Sequence, residues 1–179
     1  GVLGILLGSI FTTGISAFMQ TEIALDISFD ANLIDPGGTR SQDSLLEGNY
    51  RKLWRDGLFK IFSEVKGRKQ KRDLSKLISR GSDLTLREIV LNDPSIIGTT
   101  QRIWVKSSAD IDSLNKGKTA RNIIESDRKI KNHQMVWFDK LMAEKRVRLT
   151  FNSTFFSAGD SREPEQAGIL GATVGSFLT

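Results

Sequence analysis

GVLGILLGSIFTTGISAFMQTEIALDISF, residues 1–29, passes from an uncharged apolar run into a strict alternation. Its first charge is Glu22. At about 1.5 Å per residue, about 20 helical residues cover the roughly 30 Å hydrocarbon core of a bilayer. Residues 1–20 are therefore predicted to be a transmembrane helix. A secretory signal peptide would carry a basic segment ahead of its apolar run, yet nothing basic precedes Val2 and there is no initiator Met. The chain is expected to start inside the span. From residue 21 the pattern changes: Ile23, Leu25, Ile27 and Phe29 alternate with polar residues, the signature of a half-buried strand.

The other end of the chain mirrors this one. The 179 residues are 39% hydrophobic and 26% charged, without cysteine, and carry a net charge of +5. Every charge lies between Glu22 and Glu165, so residues 166–179 have none. That run is too short to cross a bilayer and is read as the start of a second, truncated span. This distribution excludes full-length disorder, a coiled coil, a collagen-like chain and a disulfide scaffold. Both ends are rich in small residues. Gly4 and Gly8 lie four apart; Ala167, Gly171 and Gly175 form one row, and Gly168, Ala172 and Ser176 the row beside it. Such spacing lets membrane helices approach closely. Glycine is common in membrane helices anyway, but two parallel rows point to spans packed in a bundle.

Between the spans, residues 21–165 are expected to form an α+β domain. Asp35-Pro36-Gly37-Gly38 breaks the chain after the first strand. Leu46, Tyr50, Leu53, Trp54, Leu58, Ile61, Phe62 and Val65 follow a 3.6-residue period and predict one helix over 45–65. Shorter helices are predicted over 73–79, over 85–91 ahead of Pro94, and over 110–115 ahead of Gly117, with a strand at 102–106. A long helix is expected over 127–145, N-capped by Ser126, with Ile130, Gln134, Trp137, Phe138, Leu141 and Met142 as its buried stripe. Val147, Leu149 and Phe151 alternate in a last strand. Strands at both ends of the domain, each near a span, would pair and bring the membrane segments together.

Charge is uneven along the domain. Residues 22–50 hold six acids and one base, and 51–80 hold eleven bases and three acids. The densest run is Lys66, Arg68, Lys69, Lys71 and Arg72. Such a run attracts anionic lipid, an acidic partner or nucleic acid. Nucleic acid is disfavoured because no aromatic residues interleave as a stacking surface. The plainer reading, a solvated loop joining two helices, is favoured. Orientation follows from the flanks: 20–38 contains no Lys or Arg, and 151–165 contains only Arg162. Basic residues near span ends favour the cytoplasm, so residues 22–165 are expected outside it.

Catalytic sets are thin. His133 is the only histidine and cysteine is absent, so the usual zinc ligands are missing. Neither a GxxxxGK[ST] loop nor a G-x-S-x-G elbow is present. Asp110 and Asp112 read as ordinary helix solvation, and Asn152-Ser153-Thr154 is only a three-residue glycosylation match. The chain is not expected to be an enzyme, and no cofactor or metal is expected.

The segment FNSTFFSAGDSREPEQAGILGATVGSF, residues 151–177, resembles the approach to the second span in phosphate ABC-transporter permeases of the PstA type. Asp160 and Ser161 suit the start of a helix whose first turn holds Glu163, Pro164 and Glu165. ISAFMQTEIALDISFD and LNDPSIIGTT are similar to an N-terminal extension in a proteobacterial, mostly alphaproteobacterial, branch of these permeases. The resemblance implies a multi-span inner-membrane subunit with an extra periplasmic domain. Its partners would be membrane lipid, a second permease subunit, a cytoplasmic ATPase that hydrolyses ATP, and a periplasmic phosphate-binding protein. The runner-up is the extracytoplasmic domain of a two-span sensory receptor. A membrane-anchored hydrolase lacks its catalytic set.

Overall fold

The computed structural model describes residues 18–151. Their frame is a three-stranded sheet in the order β2-β1-β3. The strands are β1 (Met19–Ser28), β2 (Thr100–Lys106) and β3 (Val147–Phe151). β1 runs antiparallel to β2, with Glu22 opposite Lys106 and Ser28 opposite Thr100. The alternating residues of β1 do what their period requires: Ile23, Leu25 and Ile27 are wholly buried. The strand begins at Met19, two residues before its polar alternation starts. The two terminal strands are neighbours, as expected from the sequence.

Contacts divide the chain into two units. One of them, Glu22–Val147, holds the core. The core unit's helices are α1 (Ala31–Ile34), α2 (Gln42–Leu46), α3 (Tyr50–Ile61), α4 (Arg68–Ser75), α5 (Ser82–Asn92), α6 (Ala109–Asn115) and α7 (Asn132–Ala143). Short 3-10 turns occupy Pro94–Ile96 and Glu125–Asp127. The helix α3 lies directly on β1. A Cβ added at Gly57 would stand 2.9 Å from the Asp26 carbonyl oxygen and 3.3 Å from Ile27 Cδ1. Only glycine permits that approach without a shift. Trp54 Nε1 donates to Asp83 Oδ1 at 2.6 Å and ties α3 to α5.

Several boundaries depart from the sequence expectation. The helix predicted over 45–65 is two helices, α2 and α3, turned at Gly48-Asn49. Contact with α1 causes the break. Asn49 N donates to Leu33 O at 2.8 Å, and its side chain accepts from Lys52 N to cap α3. Leu45, not Leu46, therefore points into the core. The predicted helix at 73–79 starts at Arg68 and takes in most of the basic run, which is consequently not a loop. Arg, Lys and Gln are good helix formers, and Leu74 and Leu77 anchor the segment in the core.

The helix predicted from 127 starts at Asn132, and Ser126 is not its cap. Arg128, itself extended after a 3-10 turn, ties down the segment ahead of the helix by donating to the carbonyls of Ile123 at 2.8 Å and Ile130 at 3.3 Å. Met142 and Leu149, expected inside, are exposed. Among the described residues no helix is long and apolar enough to cross a membrane. The proposed spans fall outside those residues, apart from 18–20, where Met19 and Gln20 already belong to β1.

Candidate functional site

The basic run forms one exposed face. Lys66 precedes Gly67, which starts α4 without a side-chain cap, and α4 then opens with Arg68, Lys69, Lys71 and Arg72. Arg68 and Arg72 are four apart and Lys69 and Arg72 three apart, so these cations crowd one another on the helix surface. They also stand near the positive end of the helix dipole, with no acid in the first turn to offset them. Each like-charge pair costs about 0.2–0.5 kcal/mol and each misplaced cation about 0.3–1 kcal/mol at low salt.

Lys66, Arg68, Lys69 and Arg72 are exposed, and their side chains make no ion pair or hydrogen bond among the described residues. Lys71 differs. It is half-buried with Nζ 5.3 Å from the centre of the Phe59 ring, which Arg55 also faces at 5.4 Å. Of the bases within 51–80, Arg51, Lys52 and Lys76 are the ion-paired ones among the described residues.

Beneath this face lies a group the sequence did not mark. Asp73, on the inner side of α4, is nearly closed off from solvent. Its Oδ2 is 3.0 Å from His133 Nε2 and 3.4 Å from Lys131 Nζ, while Oδ1 is 3.7 Å from Lys76 Nζ. Its backbone carbonyl accepts from Gln134 Nε2 at 2.9 Å. Burial pushes the carboxyl upward in pKa, but the hydrogen bonds and charges of His133 and Lys131 outweigh it and hold Asp73 below its ordinary value. The cluster therefore pins α4 to the first turn of α7, with His133 resting edge-on against Trp137 at 4.8 Å. A lone acid inside RKQKRDLSK was the available signal, but its partners lie about 60 residues away.

Asp26 plays a similar part at the sheet. Arg146 Nη2 at 3.1 Å and Arg102 Nε at 3.3 Å meet its carboxylate. Burial raises its pKa, but these two guanidinium groups more than reverse that and hold it low. No group of acids and histidines fit to hold a metal occurs among the described residues. Gly4, Gly8, Ala167, Gly168, Gly171, Ala172 and Gly175, expected to pack membrane helices, lie outside the described residues.

A family model described as "Domain of unknown function (DUF3333)" matches residues 1–125. No curated protein and no solved structure matches the chain.

Proposed function

The chain belongs to the DUF3333 family of domains of unknown function, and we propose that it is part of a permease subunit of an ATP-driven phosphate importer. Residues 22–165 would be its periplasmic domain, and the charge-free runs at either end its first and second spans in the bacterial inner membrane. The observation that carries this reading is the pairing of the domain's terminal strands. β1 starts at Met19, at the end of the first run, and β3 ends at Phe151, ahead of the second. Because β1 and β3 are neighbours, the described chain enters and leaves through adjacent strands, which suits two membrane helices packed side by side.

The resemblance of residues 151–177 to the approach to the second span of phosphate permeases supplies the substrate and the partners. These are a second permease subunit, a cytoplasmic ATPase subunit and a periplasmic phosphate-binding protein. ATP hydrolysis belongs to the ATPase, so the chain itself is a transporter subunit and not an enzyme. The exposed face of Lys66, Arg68, Lys69 and Arg72 gives the domain a role in that assembly. It sits on the side from which substrate arrives, and its mutual repulsion is relieved by an acidic surface on the loaded binding protein. Such a face acts through long-range attraction, raising encounter rates more than final affinity.

The assembly can be tested by purifying the tagged full-length protein from membranes in mild detergent. An ATP-binding subunit and a second multi-span subunit are expected to accompany it. A signalling kinase or transducer module in their place would overturn the importer in favour of a receptor.

A further inference from the structure

A small cavity of about 60 Å³ lies where the end of α4, the start of α6 and the segment leading into α7 meet. Its polar lining is Lys76, Ser108, Asp110, Lys129, Lys131 and Gln134. Asp110 and Lys129 also line an adjoining, more open cavity of about 300 Å³, to which Lys118 contributes. Three lysines and one acid, Asp110, thus line the cavity. Asp73 holds two of them from one side, Lys131 at 3.4 Å and Lys76 at 3.7 Å. An ammonium has three donors, so each keeps N–H groups free for a ligand.

The side chains of Lys129 and Lys118 make no ion pair or hydrogen bond among the described residues. Gln134 serves as fixed wall: its Oε1 accepts from Lys131 N at 2.8 Å and its Nε2 donates to the Asp73 carbonyl. The exposed face of α4 offers charge without enclosure. Here cationic side chains from the end of α4 and from the segment leading into α7 line one depression, and the buried Asp73 holds two of them in place.

We infer that the lysine-lined cavity binds a small tetrahedral oxyanion, phosphate or sulfate, either free or as the end group of a monoester. The volume suits one such group, and the adjoining cavity has room for an organic body. The inference rests on the cavity's own chemistry and stands apart from the transport reading. A protein that binds oxyanion here yet supports no phosphate uptake would contradict only the latter.

Calorimetric titration of the full-length protein tests it. The probes are sodium phosphate, sodium sulfate and glycerol 2-phosphate, at constant ionic strength with chloride as the reference. Saturable heat is expected from the oxyanions and none from chloride. Lys129→Gln is expected to weaken binding about fivefold, the scale of one exposed charged contact, and Lys129→Arg to retain it. Arg68→Gln with Lys69→Gln is expected to leave it unchanged. Weakening of glycerol 2-phosphate alone by Lys118→Gln would identify a monoester as the ligand, and equal retention of all three probes the free ion. Lys129 is exposed, and a melting temperature equal to wild type certifies the variant's fold. Heat from the oxyanions no different from that of chloride, or saturable binding untouched by Lys129→Gln combined with Lys76→Gln, would overturn the site.

Discussion

Replacing Asp73 with Asn removes one charge from the centre of the α4–α7 contact while keeping shape. The side chain of Asp73 is 5% exposed, whereas those of His133 and Lys131 are 41% and that of Lys76 is 61% exposed. Water can therefore recover most of what the cations lose. Contacts of this exposure are worth about 0.2–1 kcal/mol each, and a hydrogen bond to a charged group about 1.5 kcal/mol or more. The variant also escapes the cost of burying a carboxylate. A net loss of about 1–2 kcal/mol follows, a fall in Tm of about 3–8 °C for a domain of this size.

The pH dependence fixes the cause. A carboxyl held low in the folded state contributes stability that is fully present above its unfolded pKa of about 3.9. That contribution is lost as pH falls through the unfolded and then the folded value. Thermal melts of both proteins at pH 7 and pH 3 are the assay. The gap in Tm is expected to be full at pH 7 and to narrow at pH 3, below the unfolded pKa, where the unfolded carboxyl binds a proton that folding with Asp73 charged must release. Equal melting at pH 7, or a gap of the same size at both pH values, would refute the view that Asp73 is a charged clasp.

Gly57→Ala should destabilise the fold by about 1–2 kcal/mol in denaturant titration, because strain against the Asp26 carbonyl oxygen exceeds the helix-propensity gain of about 1 kcal/mol. An unchanged midpoint would mean that α3 can shift off β1 at no cost. Neutralising Lys66, Arg68, Lys69 and Arg72 to Gln, with Lys71 left on Phe59, should slow phosphate uptake at low salt and have little effect at high salt, where the Debye length falls to about 3 Å at 1 M. The same variant should melt no lower than wild type, since relief of repulsion within α4 offsets the change. Cysteines placed singly at the exposed Ser63 and Ser126 should react with an impermeant thiol reagent in intact spheroplasts. Reaction only after the membrane is broken would put the domain on the other side.

What the sequence makes legible is local periodicity. The alternation from Ile23 to Phe29 fixed the central strand, and Tyr50, Leu53, Trp54 and Leu58 fixed the buried stripe of α3. The break at Gly48-Asn49 was hidden because it depends on Leu33, on the preceding helix, and a 3.6-residue period carries across it unchanged. The late start of α7 was hidden likewise, since it depends on Arg128 binding the carbonyls of Ile123 and Ile130 on either side of it. The basic run was plain as charge, but its helical form rests on Leu74 and Leu77 finding the core. The Asp73 cluster and the lysine-lined cavity bring residues 73 and 76 together with 129–134, and composition carries no trace of such pairings.

The most direct test of the account is uptake of radiolabelled phosphate by cells that lack every other phosphate importer. Deleting the gene for this protein is expected to abolish ATP-dependent uptake at micromolar phosphate, and restoring the full-length protein to recover it. Uptake that persists at the wild-type rate without the protein would contradict its assignment as an importer subunit.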